Sequence, residues 1–464
     1  MGKTQTQPGR SSEARPLHLA PDTSHFTPYA LHSARILLVA ALFGAPLVFG
    51  AVLPWAWVAL SIAASLALFL WALGCVQQGA VKLIWLPLYI PLALFFLLGV
   101  VQYVARLPLD RSETRQALVI LATDLVFFFL TVQLFGGAQS KRLTALGLAV
   151  LVYAGSLALF AILQFISGAH ELYGIFTTQG SLFGPYVNAD HFAGLMEMLL
   201  PVAALYMAGQ RKRLSLESWV LMVFALTLAL ASVLLTGSRG GLLALSAEIA
   251  IAAYVFRRAA TRTWDRRRAI VAAALTLLAG LLLFAYVAPA RIAQKLGSVA
   301  YADRTWADWA GDRKRMAGDA LRMWRAHGVL GVGLGDFETA YPRYQSIASD
   351  LWYDHVHNDY AEALAETGLV GGLLILSALL LFFRLAFQAG SRPFRSHAEW
   401  IRLGATLGCC GMLVHSLGDF NLHIPANAAW FAVLAGIATT ARDTAATQDW
   451  VLQGQRLVAG DSAR

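Results

Sequence analysis

The sequence predicts an all-α polytopic membrane protein with about twelve transmembrane helices and a helical extramembrane loop subdomain late in the chain. Composition is the first reason. Of 464 residues, 58% are hydrophobic and 14% charged, with a mean hydropathy of +0.59, whereas soluble domains carry about a quarter charged residues. Second, apolar runs of the roughly 20 residues that a spanning helix needs recur at 35–53, 54–75, 83–104, 115–135, 143–167, 190–208, 217–235, 240–257, 269–288, 366–387, 400–417 and 425–441. Third, cations alternate between the connections. Loops on one side carry fifteen: Lys82, Lys141, Arg142, Arg211, Lys212, Arg213, six arginines between 257 and 268, and Arg384, Arg392 and Arg395. Short loops on the other side carry four, namely Arg106, Arg111, Arg115 and Arg239. Cytoplasmic loops are the cation-rich ones, so both termini are expected in the cytoplasm.

In chain order, residues 1–34 are polar and Pro/Ser-containing and are read as a disordered cytoplasmic tail. Residues 35–288 hold nine spans, 289–365 form an outer loop with amphipathic helices, 366–441 hold three more spans, and 442–464 are a second cytoplasmic tail. The formal charge of +9 would suit nucleic acid, but the cations sit in short loops between apolar runs, so no nucleic-acid partner is expected. Cys75, Cys409 and Cys410 lie in or beside apolar runs without metal-ligand spacing and are read as small core residues.

The outer connections, 168–189, 236–241, 289–365 and 418–425, hold the unusual chemistry. TGSRGG (236–241) sets Arg239 at a helix start among glycines. The arginine either snorkels while the glycines allow tight helix packing, or offers a planar fork and free backbone N–H groups to a diphosphate. Residues 313–327 read as an amphipathic helix along the membrane surface, with apolar Met316, Leu321 and Trp324 and cationic Arg313, Arg315, Arg322 and Arg325. The following GVGLGDF has no strand–turn–helix context, so it is not read as a dinucleotide loop.

DHVHNDYAEALAETGLVGG (354–372) offers His357 as a general base, because imidazole titrates near neutral pH and a carboxylate can fix its tautomer. Asp359 or Glu362 would orient it, and Asn358 or Asp359 would cap the helix that follows. His355 and His357 share a face only on a strand, and further ligands would have to come from elsewhere, so no metal site is expected. Asn188 and His191 start one helix, and Asp419, Asn421 and His423 form a tight loop before Pro425. Polar residues at a membrane lip are functional candidates, although capping and interhelical hydrogen bonds serve as well.

TGSRGG, the arginine-containing segment before GVGLGDF, HNDYAEALAETGLVGG and DFNLHIPANAAWFA, in this order between about residues 180 and 440, together resemble the O-antigen ligase and O-antigen polymerase superfamily of bacterial envelope glycosyltransferases. The resemblance implies a multi-pass inner-membrane enzyme with a large periplasmic loop and an active site facing the periplasm. It implies an undecaprenyl-diphosphate-linked glycan as donor, with transfer to an acceptor hydroxyl such as that of lipid A-core, inversion at the anomeric carbon and no metal or other cofactor. Membrane lipids are the remaining partner. Carried over by position, Arg239 and Arg313, or Arg315 in a neighbouring register, would bind the diphosphate. His357 would be the base, with Asn358, Asp359, Glu362, Asn188 and Asp419 in support. Ligase, polymerase and protein O-oligosaccharyltransferase share donor and motifs. A secondary transporter is the competing class, but transporters place polar residues at the midplane of related halves, and here they gather on one face.

Overall fold

A computed structural model describes residues 29–136, 140–168, 171–177, 182–210, 214–259, 306–346, 353–388, 396–440 and 446–451. The run at 269–288, the arginines from 262 to 268 and both terminal tails lie outside or largely outside these residues. The described chain is α1 (Tyr29–Gly44), α2 (Pro54–Gln77), β1 (Ala80–Trp85), α3 (Tyr89–Val104), α4 (Arg111–Phe135), α5 (Ser140–Ser167), the two-residue strands β2 (Glu171–Leu172) and β3 (Phe176–Thr177), α6 (Ala189–Gln210), α7 (Leu216–Thr236) and α8 (Arg239–Ala259). It continues through α9 (Trp306–His327), α10 (Phe337–Ala340), α11 (Asp359–Gln388), α12 (His397–His415), α13 (Pro425–Thr439) and β4 (Ala446–Val451). Strand β1 pairs antiparallel with β4, and β2 with β3. Among the described residues the chain is therefore all-α apart from two small ribbons.

Eight of the described helices are long and apolar enough to cross a membrane: α1, α2, α4, α5, α6, α7, α8 and α11, with α3 and α13 shorter but apolar. Eleven of the twelve apolar runs thus coincide with helices once α12 is included. The first starts earlier than its apolar run suggests, at Tyr29. It is followed by a bent connection in which Phe49, Gly50 and Ala51 take positive φ.

Helix α6 is the axis of the bundle, buried along nearly its whole length. Helix α12 lies beside it because Gly404 faces the backbone of Pro201 and Val202, and Gly408 that of Met198. A Cβ at either would come within 2.6 Å of that backbone. Small residues four apart permit this approach where lipid supplies no hydrophobic drive between helices. Cys409 and Cys410 are buried on the same helix, and all three cysteines are free.

Helix α9 is the expected amphipathic helix, with an earlier start and a different inward face. It starts at Trp306, and its inward face is Met316, Ala320 and Met323, packed on Phe337, Tyr341, Val356 and Ala365. That spacing of four and three is one helical stripe, whereas Leu321 faces out. Asp319, fully buried, accepts from Tyr341 Oη (3.1 Å), Ser346 N (2.9 Å) and Ser346 Oγ (2.7 Å), and pairs with Arg322. The glycine-rich turn is a strap: Val332 and Gly333 N–H donate to the carbonyls of Ala365 and Glu366, and Asp336 accepts from Leu109 N (2.7 Å) and Asp110 N (3.0 Å). Gly368, at φ 64 and ψ −163, breaks α11 after two turns, so the spanning part begins there.

Candidate functional site

Every residue of TGSRGG has a structural reason. Thr236 ends α7, and Gly237 takes the left-handed cap at φ 68. Ser238 Oγ accepts from Gly241 N (3.1 Å), capping α8, so Arg239 is its first residue and leaves half-buried at the helix start. Gly241 meets Ala193 of α6, and a Cβ at Gly240 would collide with the His415 ring of α12. Gly240→Ala is therefore expected to cost about 1–3 kcal/mol, the usual range for overpacking, and to lower the thermal unfolding temperature of purified protein; an unchanged value would refute the contact.

His357 sits at φ 55, a backbone conformation rare for any residue but glycine. This turn carries its imidazole away from the helix that follows. Its Nδ1 donates to Asp419 Oδ1 at 3.2 Å, and its ring packs edge-on to Phe420 at 4.8 Å. The orienting carboxylate is thus Asp419 and neither Asp359 nor Glu362, which corrects the local expectation. Asp419 is 1% exposed. Burial alone would raise its carboxyl pKa; the His357 hydrogen bond and the charges of His191, His415 and Arg313 outweigh that and hold it below the usual range.

Arg313 reaches the same place. It lies 3.8 Å from Asp190 at the start of α6, and its guanidinium pKa is lowered chiefly by burial. Asp419 and Asp190 oppose that shift, and the charge of Arg239 adds to it. The two guanidiniums are therefore close enough to feel each other, and Arg313 also acts on Asp419, the carboxylate that His357 bonds to. Arg315 is exposed on the next face of α9, so of the two arginines in RKR it is Arg313 that joins the cluster.

The remaining candidates divide. Asn358 Oδ1 accepts from Ala361 N (2.9 Å), capping α11, while its Nδ2 donates to Leu417 O (2.9 Å). Asn188 Oδ1 accepts from Asp190 N (2.9 Å) at the start of α6. These are caps. Asp359 and Glu362 belong to a second, adjoining cluster. Asp359 Oδ1 accepts from His423 Nδ1 (2.8 Å), and Glu362 accepts from His355 Nδ1 (2.6 Å) and Val356 N (2.8 Å). His423 is pushed up to about 10: burial disfavours its charged form, but Glu362, Asp359 and Glu366 outweigh it. His355, Glu362 and His423 bring one ligand atom each within 4.8 Å of one another. This is the set among the described residues with donors suited to a metal, although each donor already has a hydrogen-bond partner in the cluster.

Asn427 ties the floor together. It donates to His191 O and Asn421 Oδ1, both at 2.9 Å, and accepts from Tyr186 Oη at 2.7 Å. What sequence reasoning passed over is Glu197 and His415, paired through Nδ1 at 2.9 Å and essentially unexposed. Their signal was an ionisable group inside an apolar run.

A buried carboxylate that holds a half-exposed imidazole and faces Arg313, which in turn feels Arg239, is an arrangement suited to taking a proton near an anion. Residues 223–376 match the family model described as O-antigen ligase. The match covers about a third of the chain and supports a likeness to the O-antigen ligase superfamily, in keeping with the eight helices long and apolar enough to cross a membrane. No curated protein matches the chain. The matched segment spans Arg239, Arg313 and His357 but stops within α11, so Asp419, Asp190, Glu197 and His415 come from helices and a loop outside it.

Proposed function

We propose that the protein transfers a glycan from an undecaprenyl-diphosphate carrier to an acceptor hydroxyl at the periplasmic face of the inner membrane, with both termini in the cytoplasm. The observation that carries this reading is the shared Asp419: its carboxylate orients His357 and faces Arg313, which in turn feels Arg239. The diphosphate binds the two guanidiniums, whose planar forks match phosphate oxygens. With its proton on Nδ1 held by Asp419, His357 presents Nε2 to the acceptor hydroxyl and takes its proton. The acceptor oxygen bonds to the anomeric carbon as the carbon–oxygen bond to the diphosphate breaks on the opposite side, so the configuration inverts. The lipid diphosphate leaves with the extra negative charge, which Arg239 and Arg313 offset. Fixed cations of this kind contribute several kcal/mol to a transition state, and they do for the leaving group what a metal ion does elsewhere.

The acceptor proposed is lipid A-core, making the protein a ligase. A transfer assay with purified protein, lipid-linked donor and separate arms for lipid A-core, a glycan repeat unit and a peptide tests this. Product in the first arm supports ligation; product only in the second or third reassigns the protein as a polymerase or protein O-oligosaccharyltransferase. No product in any arm removes the transferase reading and returns transport. Transfer in EDTA is expected to match the untreated rate within about twofold, since the guanidinium role needs no Lewis acid. A loss restored by a divalent cation would overturn the metal-free mechanism and point to His355, Glu362 and His423.

A further inference from the structure

His357 and Asp419 are the outer half of a longer chain of groups. Asp419 Oδ2 accepts no hydrogen bond among the described residues and faces His415 Nε2 at 3.8 Å. The other nitrogen of His415 lies 2.9 and 3.1 Å from the two carboxylate oxygens of Glu197, near the centre of the bundle. Both ring nitrogens of His415 thus face carboxylates, and an N–H on each is what this geometry accommodates. His415, Glu197 and Asp419 are each at most 1% exposed, and an isolated buried ion is costly unless paired. The bundle is shaped around this chain. Gly240 makes room for the His415 ring, and Gly411 makes room for a third buried acid, Glu248 of α8.

We propose that His415, held between Glu197 and Asp419, is the positioning residue that keeps Asp419 aimed at His357 and balances the charge His357 acquires during transfer. The proposal rests on the reading of His357 as the base. For this role His357 must start neutral, and His415 must carry a proton on each ring nitrogen between the carboxylates of Glu197 and Asp419. When His357 takes the acceptor proton, Asp419 lies between two imidazolium rings, and Glu197 keeps the inner one from repelling the outer. No proton leaves His415 in this step. The charged and titratable groups acting on His415 are Glu197, Asp190 and His191 of α6 and Asp419 of the adjoining loop. Beyond these, His357 and Arg313 act on Asp419, Arg239 of α8 acts on Arg313, Glu248 of α8 acts on Glu197, and the Tyr360 hydroxyl bonds to Leu413 O.

The test is the pH profile of kcat for Glu197→Gln, Glu197→Asp and His415→Gln beside wild type, in the assay above. Removing the Glu197 charge takes away a partner that holds the second proton on His415. As pH rises His415 then releases the proton facing Asp419, and kcat falls. Glu197→Gln is expected to match wild type at the acid end and to fall at least about tenfold below it at the alkaline end, the effect of about one pKa unit. Donor and acceptor KM should hold within about twofold. Glu197→Asp, which keeps the charge, should restore much of the alkaline rate. His415→Gln, whose amide N–H does not titrate, should be slower at every pH without the new alkaline limb. Superposable profiles for Glu197→Gln and wild type would overturn the proposal while leaving His357 as the base. So would failure of both charge-neutral variants to yield monodisperse protein while Glu197→Asp folds, because the pair would then serve stability. Failure of the parent reading shows differently, as full transfer by His357→Ala.

Discussion

Replacing His357 by alanine is expected to lower glycan transfer by about two to four orders of magnitude, the usual worth of a positioned general base. The variant needs a control of its own. His357 occupies left-handed backbone, where alanine is disfavoured and asparagine is tolerated. His357→Asn should therefore fold as well as wild type, keep a side chain near Asp419, and still lack a base. If both variants lose transfer with unfolding temperatures close to wild type, the loss belongs to chemistry. Full activity in the asparagine variant would remove His357 from the mechanism. Donor binding should survive in both, because the proposed diphosphate contacts, Arg239 and Arg313, lie on α8 and α9.

The second large effect is expected at the arginines. Arg239→Ala and Arg313→Ala should each lower kcat by about 10²- to 10³-fold, the range seen when one preorganised donor to developing negative charge is removed. Lysine at either position should recover part of the rate, since it restores a point charge without the two-pronged fork. Arg315→Ala is expected to stay close to wild type, because that side chain is exposed on another face of α9. The comparison is made in one transfer assay at fixed salt, with donor KM and kcat separated. Equal losses at Arg313 and Arg315 would refute the placement that the Asp190 contact gives to Arg313.

The membrane character of the chain was plain in its sequence, because long apolar runs and sparse charge have few other readings. The site was legible in part. Arg239 and His357 stood in unusual local surroundings, but their partners did not. Asp419 follows His357 by 62 residues, so local reasoning offered the neighbours Asp359 and Glu362. The positive φ at His357 is what defeats that reading: it turns the ring off the α11 side and toward the loop after α12. Helix α9 misled for a simpler reason. Met316, Leu321 and Trp324 mix two faces, while Met316, Ala320 and Met323 lie on one, and an alanine hides easily in an apolar count. Glu197 was masked by its apolar neighbours, and only the packing of α12 against α6 shows why a charge can stand there.

The strap after α9 has a mechanical meaning. The glycine turn is pinned to the first turns of α11, and Asp336 is pinned to the connection between α3 and α4. Arg313 stands near the opposite end of the helix, 14 residues before His327, a lever arm of roughly 21 Å at 1.5 Å per residue. That arm is not free to swing, because Met316, Ala320, Met323 and the buried Asp319 hold it along its length. Helix α9 is thus a rigid bracket: the place of Arg313 beside Asp190 is set by packing and hydrogen bonds many residues away from it, and a change at the strap would be felt there.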